Sequence, residues 1–131
     1  MIHRIGQVML YVNNQDEILR FWTEQVGFSV IAESGKDENF RWIEIAPSKD
    51  AETSFVLHNK QMIAAMQPEL NLGTPSILLF ADNLEELYSE FKDKGITVGD
   101  MVNMPTGEKV FNFADPENNY FAIVEKKSNR T

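Results

Sequence analysis

The chain has 131 residues, 43% of them hydrophobic, which is enough for one domain with a real core and too short for two ordinary ones. Its formal net charge is −8, from twelve basic and twenty acidic residues. That balance argues against nucleic acid, whose phosphates would be repelled, and suits either a cationic ligand or plain solubility.

With no cysteine in the chain, disulfides, thiolate metal sites and a cysteine nucleophile are excluded. No apolar run approaches bilayer length, and the first residues lack a signal-peptide pattern. A cytoplasmic location, with no membrane partner, is the expectation.

After a short lead-in, Gln7–Val12 reads as a strand. Alternation puts Val8, Leu10 and Val12 on one face, toward a helix, and Gln7, Met9 and Tyr11 on the other. Asn13-Asn14 breaks the strand. A helix follows over about Gln15–Val26, with Ile18, Phe21 and Trp22 at helical spacing and Gly27 as its stop. Phe28–Ala32 reads as a second strand and Glu33–Asn39, polar and containing Gly35, as a turn.

Phe40–Ala46 alternates strongly, with Phe40, Trp42 and Glu44 sharing one face and Arg41, Ile43 and Ile45 the other. Thr53–His58 is the next strand, with Ser54, Val56 and His58 on one side. Residues 59–75 connect the two halves. Gln61–Met66 has the length for a helical turn or two, and Pro68, Gly73 and Pro75 limit regular structure after it. A connector this long in a small domain is a lid, a crossing segment or a plain linker.

The second half repeats the order. Ser76–Ala81 is an apolar run of strand length, and Asp82-Asn83 breaks it. Leu84, Leu87, Tyr88 and Phe91 fall at i, i+3, i+4 and i+7, one face of a helix that Gly95 stops. Asn83 with Glu86 has the look of a capping box. Ile96–Val98 is a strand, Gly99–Gly107 a loop and Lys109–Ala114 a strand. Asp115–Asn119 is a turn with Pro116 at its second position, Tyr120–Glu125 is the last strand, and the tail from Lys126 is frayed. Val8, Asn14, Glu17 and Gly27 map onto Ile77, Asn83, Glu86 and Gly95 at nearly one offset, which reads as an internal duplication.

Each half thus runs β-α-β-β-β, and one face of each sheet still carries large apolar groups. The fold class expected is α+β: two tandem βαβββ modules, repeat one over about 5–58 and repeat two over about 76–126, forming a curved mixed sheet around a central cleft within one domain of residues 1–131. Tyr11, Phe40, Trp42 and Phe80 could wall that cleft for a planar or cationic ligand, or be ordinary packing. Gln7, Glu44 and His58 also point there. Glu44, set between Phe40 and Trp42, could serve as a base with His58 as its partner, although lining the cleft is the simpler role for both. Met62, Met66, Met101 and Met104 could make an adaptable apolar lid.

The order β-α-β-β-β twice, with Gly27-Phe28 ending the first helix and Ala114-Asp115-Pro116-Glu117-Asn118-Asn119 before the final strand, resembles the glyoxalase / bleomycin-resistance / extradiol dioxygenase superfamily, also called the vicinal oxygen chelate superfamily. The likeness runs from about Ile5 to Lys126. It implies homodimers and, in the family's enzymes, a divalent metal held by four inward side chains from the first and last strands of each repeat. The matching positions here are Gln7, Val56, Ser76 and Ala122, of which only Gln7 is a usable donor. The resemblance therefore points to a metal-free protein that binds a small aromatic or cationic molecule. The alternatives it leaves are a metal-dependent lyase, isomerase or dioxygenase, and a metal-free enzyme using Glu44 as base.

Overall fold

The computed structural model describes residues 1–35 and 40–126. It is a mixed α+β structure of two compact units, Met1–Thr74 and Pro75–Thr131, each with its own mixed sheet. The turn expected over Glu33–Asn39 falls largely outside the described residues, as does the tail beyond Lys126. Glu33 and Ser34, placed in that turn by the sequence, belong to a strand.

The first unit begins with β1 (Gln7–Val12), whose bounds match the alternation. Then comes α1 (Gln15–Arg20), capped where expected: the Asn14 side chain accepts from the Glu17 N–H at 3.0 Å. The single helix expected over Gln15–Val26 changes pitch, because Phe21–Val26 winds as a π-helix. Its wider turn lets Phe21 and Trp22, adjacent in sequence, both enter the core, their rings edge to face at 5.6 Å. Gly27 ends it at φ 101°, the left-handed stop that glycine tolerates.

Three strands complete this sheet: β2 (Ser29–Ser34), β3 (Trp42–Ala46) and β4 (Ser54–Asn59). The strand order is β1-β4-β3-β2, with β1 parallel to β4 and the other pairs antiparallel. Leu10, Val12, Ile43, Ile45, Phe55 and Leu57 are buried with Ile18, Phe21 and Trp22 from the helix. Phe40, expected to open β3, instead lies in a turn before it and is 56% exposed. After β4, α2 (Lys60–Met66) is capped by Asn59, whose side chain accepts from the Met62 N–H at 3.0 Å.

The second unit holds β5 (Leu78–Ala81), α3 (Leu84–Asp93), β6 (Thr97–Val98), β7 (Val102–Asn103), β8 (Lys109–Ala114) and β9 (Tyr120–Glu125). Its order, β5-β9-β8-β6, follows the same path as the first sheet, with β7 added against β8. That short strand lies in the segment expected to be a loop. Ser76 and Ile77, expected to be in strand, precede β5, although the Ile77 carbonyl accepts from the Ala122 N–H.

The capping box at Asn83 does not form. Asn83 is left-handed (φ 47°) and makes no side-chain cap bond; the Glu125 carboxylate accepts from the Leu84 N–H at 3.0 Å instead. Leu84 and Phe91 are buried, and Phe91 meets Phe111 and Phe113 edge to face.

Candidate functional site

One face of the first sheet carries the helix. The other carries the residues singled out for chemistry, and strand register decides which of them meet. Tyr11 lies opposite His58, and His58 opposite Trp42, so these three form one row across β1, β4 and β3. Met9, Val56 and Glu44 form the next row, and Gln7 pairs with Ser54 in the row beyond. Along a strand, same-face neighbours are about 7 Å apart, so the aromatic row and the Gln7–Ser54 row are separated by roughly 13 Å.

A cavity of about 140 Å³ opens at the aromatic end. Phe40, Trp42 and His58 line it, with Arg41, Asn59 and, from α2, Met62 and Ile63. The connector's helix thus supplies part of the wall. Its position is set by the Asn59 cap and by a 2.7 Å hydrogen bond from Gln61 Nε2 to Asn13 Oδ1.

The wall is held by groups the sequence reading passed over. Gln15 is buried, and its Nε2 donates to the Arg41 carbonyl (2.8 Å) and the Leu57 carbonyl (3.1 Å). Those carbonyls immediately precede Trp42 and His58, so one amide fixes the backbone of both. The signal available was position: Gln15 shares a helical face with Ile18 and Trp22, where a polar side chain must find buried partners. Arg41 lays its guanidinium between Asp16 (2.7 Å) and Glu33 (2.9 Å). Burial opposes its charge, but the bonds to the two carboxylates outweigh that and raise its pKa above the ordinary value.

His58 is half-buried. Its ring stacks on Tyr11 with centroids 5.8 Å apart, and Nε2 lies 3.2 Å from Met9 Sδ. Burial holds its pKa below the usual histidine value, so at neutral pH the imidazole is uncharged.

Glu44 and His58 are not bonded to each other. Glu44 Oε2 accepts from Ser54 Oγ at 2.6 Å and from Gln7 Nε2 at 3.2 Å, and so leans away from the aromatic row. Gln7, Tyr11 and Glu44 do not line the cavity, although they share its sheet face. Phe80 belongs to the second unit, where it is 62% exposed beneath the Lys126 ammonium, 4.7 Å from the ring centre. Met66 is exposed and is no part of the cavity wall.

The chain resembles known proteins along nearly its whole length. The model of the Glyoxalase/Bleomycin resistance protein/Dioxygenase superfamily matches residues 4–123. The uncharacterized protein YetH of Bacillus subtilis (strain 168) is 32% identical over 126 residues, covering 95% of this chain and all of that one. TnmS3, an antibiotic binding protein from Streptomyces sp. CB03234, superposes with a TM-score of 0.79 at 25% identity over 96% of this chain and 98% of that one. A lactoylglutathione lyase from Agrobacterium tumefaciens shares the fold, with a TM-score of 0.74 at 18% identity, over 93% of this chain and 92% of that one.

Proposed function

The chain belongs to the glyoxalase/bleomycin resistance/dioxygenase superfamily, and within it we propose that it is a metal-free binding protein for a small molecule with a planar aromatic group. The observation that carries this reading is the cavity between Trp42, Phe40, His58 and the α2 side chains Met62 and Ile63. Its walls are mainly apolar and aromatic, burial favours the neutral form of its one imidazole, and the Arg41 guanidinium in its lining is already paired with Asp16 and Glu33, so a ring can enter without stripping an unpaired charge of water. At about 140 Å³ it is close to the roughly 150 Å³ that accepts one benzene. It would therefore hold a single ring of a larger ligand. The likeness to an antibiotic-binding protein supports the same class of function.

Donor chemistry supports the metal-free part. Of the four positions at which the resemblance places ligands, Val56 and Ala122 carry no lone pair and Ser76 only a hydroxyl. The Gln7 amide nitrogen is turned to Glu44. Among the described residues no three His, Asp or Glu side chains converge. A divalent ion gives up its water only to several such donors, so these residues do not fit one. Proton transfer by Glu44 is the weaker reading, since its carboxylate is bonded to Ser54 and Gln7 rather than to His58.

The like strand paths of the two sheets support a tandem duplication, and the homodimer implied by the family remains part of this proposal. Fluorescence tests the core of it. Of the two tryptophans, Trp22 is fully buried in the core and Trp42 lines the cavity. Saturable quenching by aromatic probes that disappears in Trp42→Phe, and is unchanged by EDTA, is the expected result. Quenching that survives Trp42→Phe, or binding that requires an added divalent metal, would defeat the proposal.

A further inference from the structure

The cavity accounts for one end of the sheet face; Glu44 stands in the next row and leans toward the far end. Glu44 is half-buried as a residue, and both groups that touch its carboxylate, the Ser54 hydroxyl and the Gln7 amide, are neutral. Two guanidiniums of this unit are engaged elsewhere: Arg41 with Asp16 and Glu33, Arg4 with the Glu52 carbonyl. Among the described residues no ammonium or guanidinium pairs with Glu44. A carboxylate whose bonded partners are all neutral keeps its full charge available to a cationic ligand. Ser54 and Gln7 both donate to Oε2, which fixes the carboxylate's orientation and leaves Oε1 for a further donor. Half-buried Met9 stands in the same row as Glu44, across Val56, and turns its thioether to His58, an adaptable apolar surface beside the aromatic row.

We propose that Glu44 is the ionic pole of this site, selecting ligands that carry a protonated amine roughly 7–13 Å from the ring seated against Trp42, because Glu44 stands one row from Trp42 and its carboxylate leans toward the Ser54 row beyond. This rests on the cavity reading above and narrows it from aromatic molecules to aromatic amines of a given length. Gln7 and Ser54 act as positioning residues for the carboxylate. The acidic net charge draws such cations toward the protein.

The test uses phenylalkylammonium ions of increasing chain length and the matching neutral phenylalkanols, titrated into the protein by calorimetry and followed by Trp42 fluorescence. Short ammonium ions should bind like their alcohols. Once the chain spans the two rows, the ammonium should bind about tenfold tighter or more than the alcohol, as a charge-assisted hydrogen bond supplies. That preference should shrink with added salt and vanish in Glu44→Gln, while the alcohols bind both proteins alike. The wild-type comparison of ammonium with alcohol stands on its own if Glu44→Gln folds poorly. Alcohols that bind while no chain length favours the ammonium would overturn the ionic pole and leave the cavity reading intact. Failure of both series to quench Trp42 would overturn both.

Discussion

Filling the cavity gives the most direct measure of the binding proposal. A phenyl or indole group entering it would bury roughly 150 Å² of aromatic surface, worth about 4 kcal/mol at about 25 cal/mol per Å². That corresponds to a Kd on the order of 1 mM for a single ring. Met62 reaches the cavity from α2, and Met62→Phe would place a ring in the same space. Phenol titrated into the wild type should show saturable Trp42 quenching in the millimolar range. At ten times Kd it should add about 1.4 kcal/mol of stability by mass action. In Met62→Phe both effects should drop out, while the melting temperature without ligand stays level or rises, because helix α2 keeps its Asn59 cap and the void is filled. A Met62→Phe protein that folds normally and binds phenol with unchanged affinity would refute the assignment of this cavity as the ring site.

Three further outcomes follow from other contacts. The folded-state pKa of His58 is depressed by burial, so its contribution to stability is complete above the unfolded value near 6.5 and is lost as pH falls through the lower folded value; the melting temperature should therefore fall less between pH 7 and 5 in His58→Gln than in the wild type. Gly35→Ala places a Cβ 2.9 Å from the Phe40 carbonyl oxygen at a backbone φ of +72°, so denaturant melts should show a loss of about 1–3 kcal/mol, with weakened probe binding as Phe40 shifts. The two asparagines ahead of the helices should behave differently: Asn14→Ala removes a cap bond and costs about 1 kcal/mol, whereas Asn83→Gly relieves a left-handed residue that caps nothing and should leave the protein as stable or more so by urea denaturation.

That asymmetry shows where local reading stopped. Asn14-x-x-Glu17 and Asn83-x-x-Glu86 are the same pattern, and a short pattern predicts the same cap for both. At Asn83 the Glu125 carboxylate, more than forty residues away in sequence, takes the Leu84 N–H and leaves the asparagine side chain no cap bond to make. Likewise Phe40 fits the alternation of the strand it precedes, but it sits in a turn at the cavity mouth.

The site divides the same way. Trp42 and His58 were legible as same-face residues because a pleated strand alternates strictly. Met62 was legible as one of four methionines that could form a lid, but not as the one that reaches this cavity. Gln15, which pins the peptides before Trp42 and His58, gave only the hint of its position on an apolar helical face, since its partners are backbone carbonyls brought to it by packing. Whether Glu44 would turn toward His58 or toward Ser54 was not legible for a related reason: alternation names the face, but not which neighbour along it a long side chain will turn toward.

What the residues alone determined is the order of elements, the faces of β1, β3 and β4, the glycine stop at Gly27 and the family, because hydrophobic period and turn chemistry act over a few neighbouring residues. Tertiary structure decided the register that sets Tyr11, His58 and Trp42 in one row, the fold-back of α2 over its end, and the turn of Glu44 toward Ser54. Those depend on hydrogen bonds and contacts between segments far apart in the chain, whose free energies no local window contains.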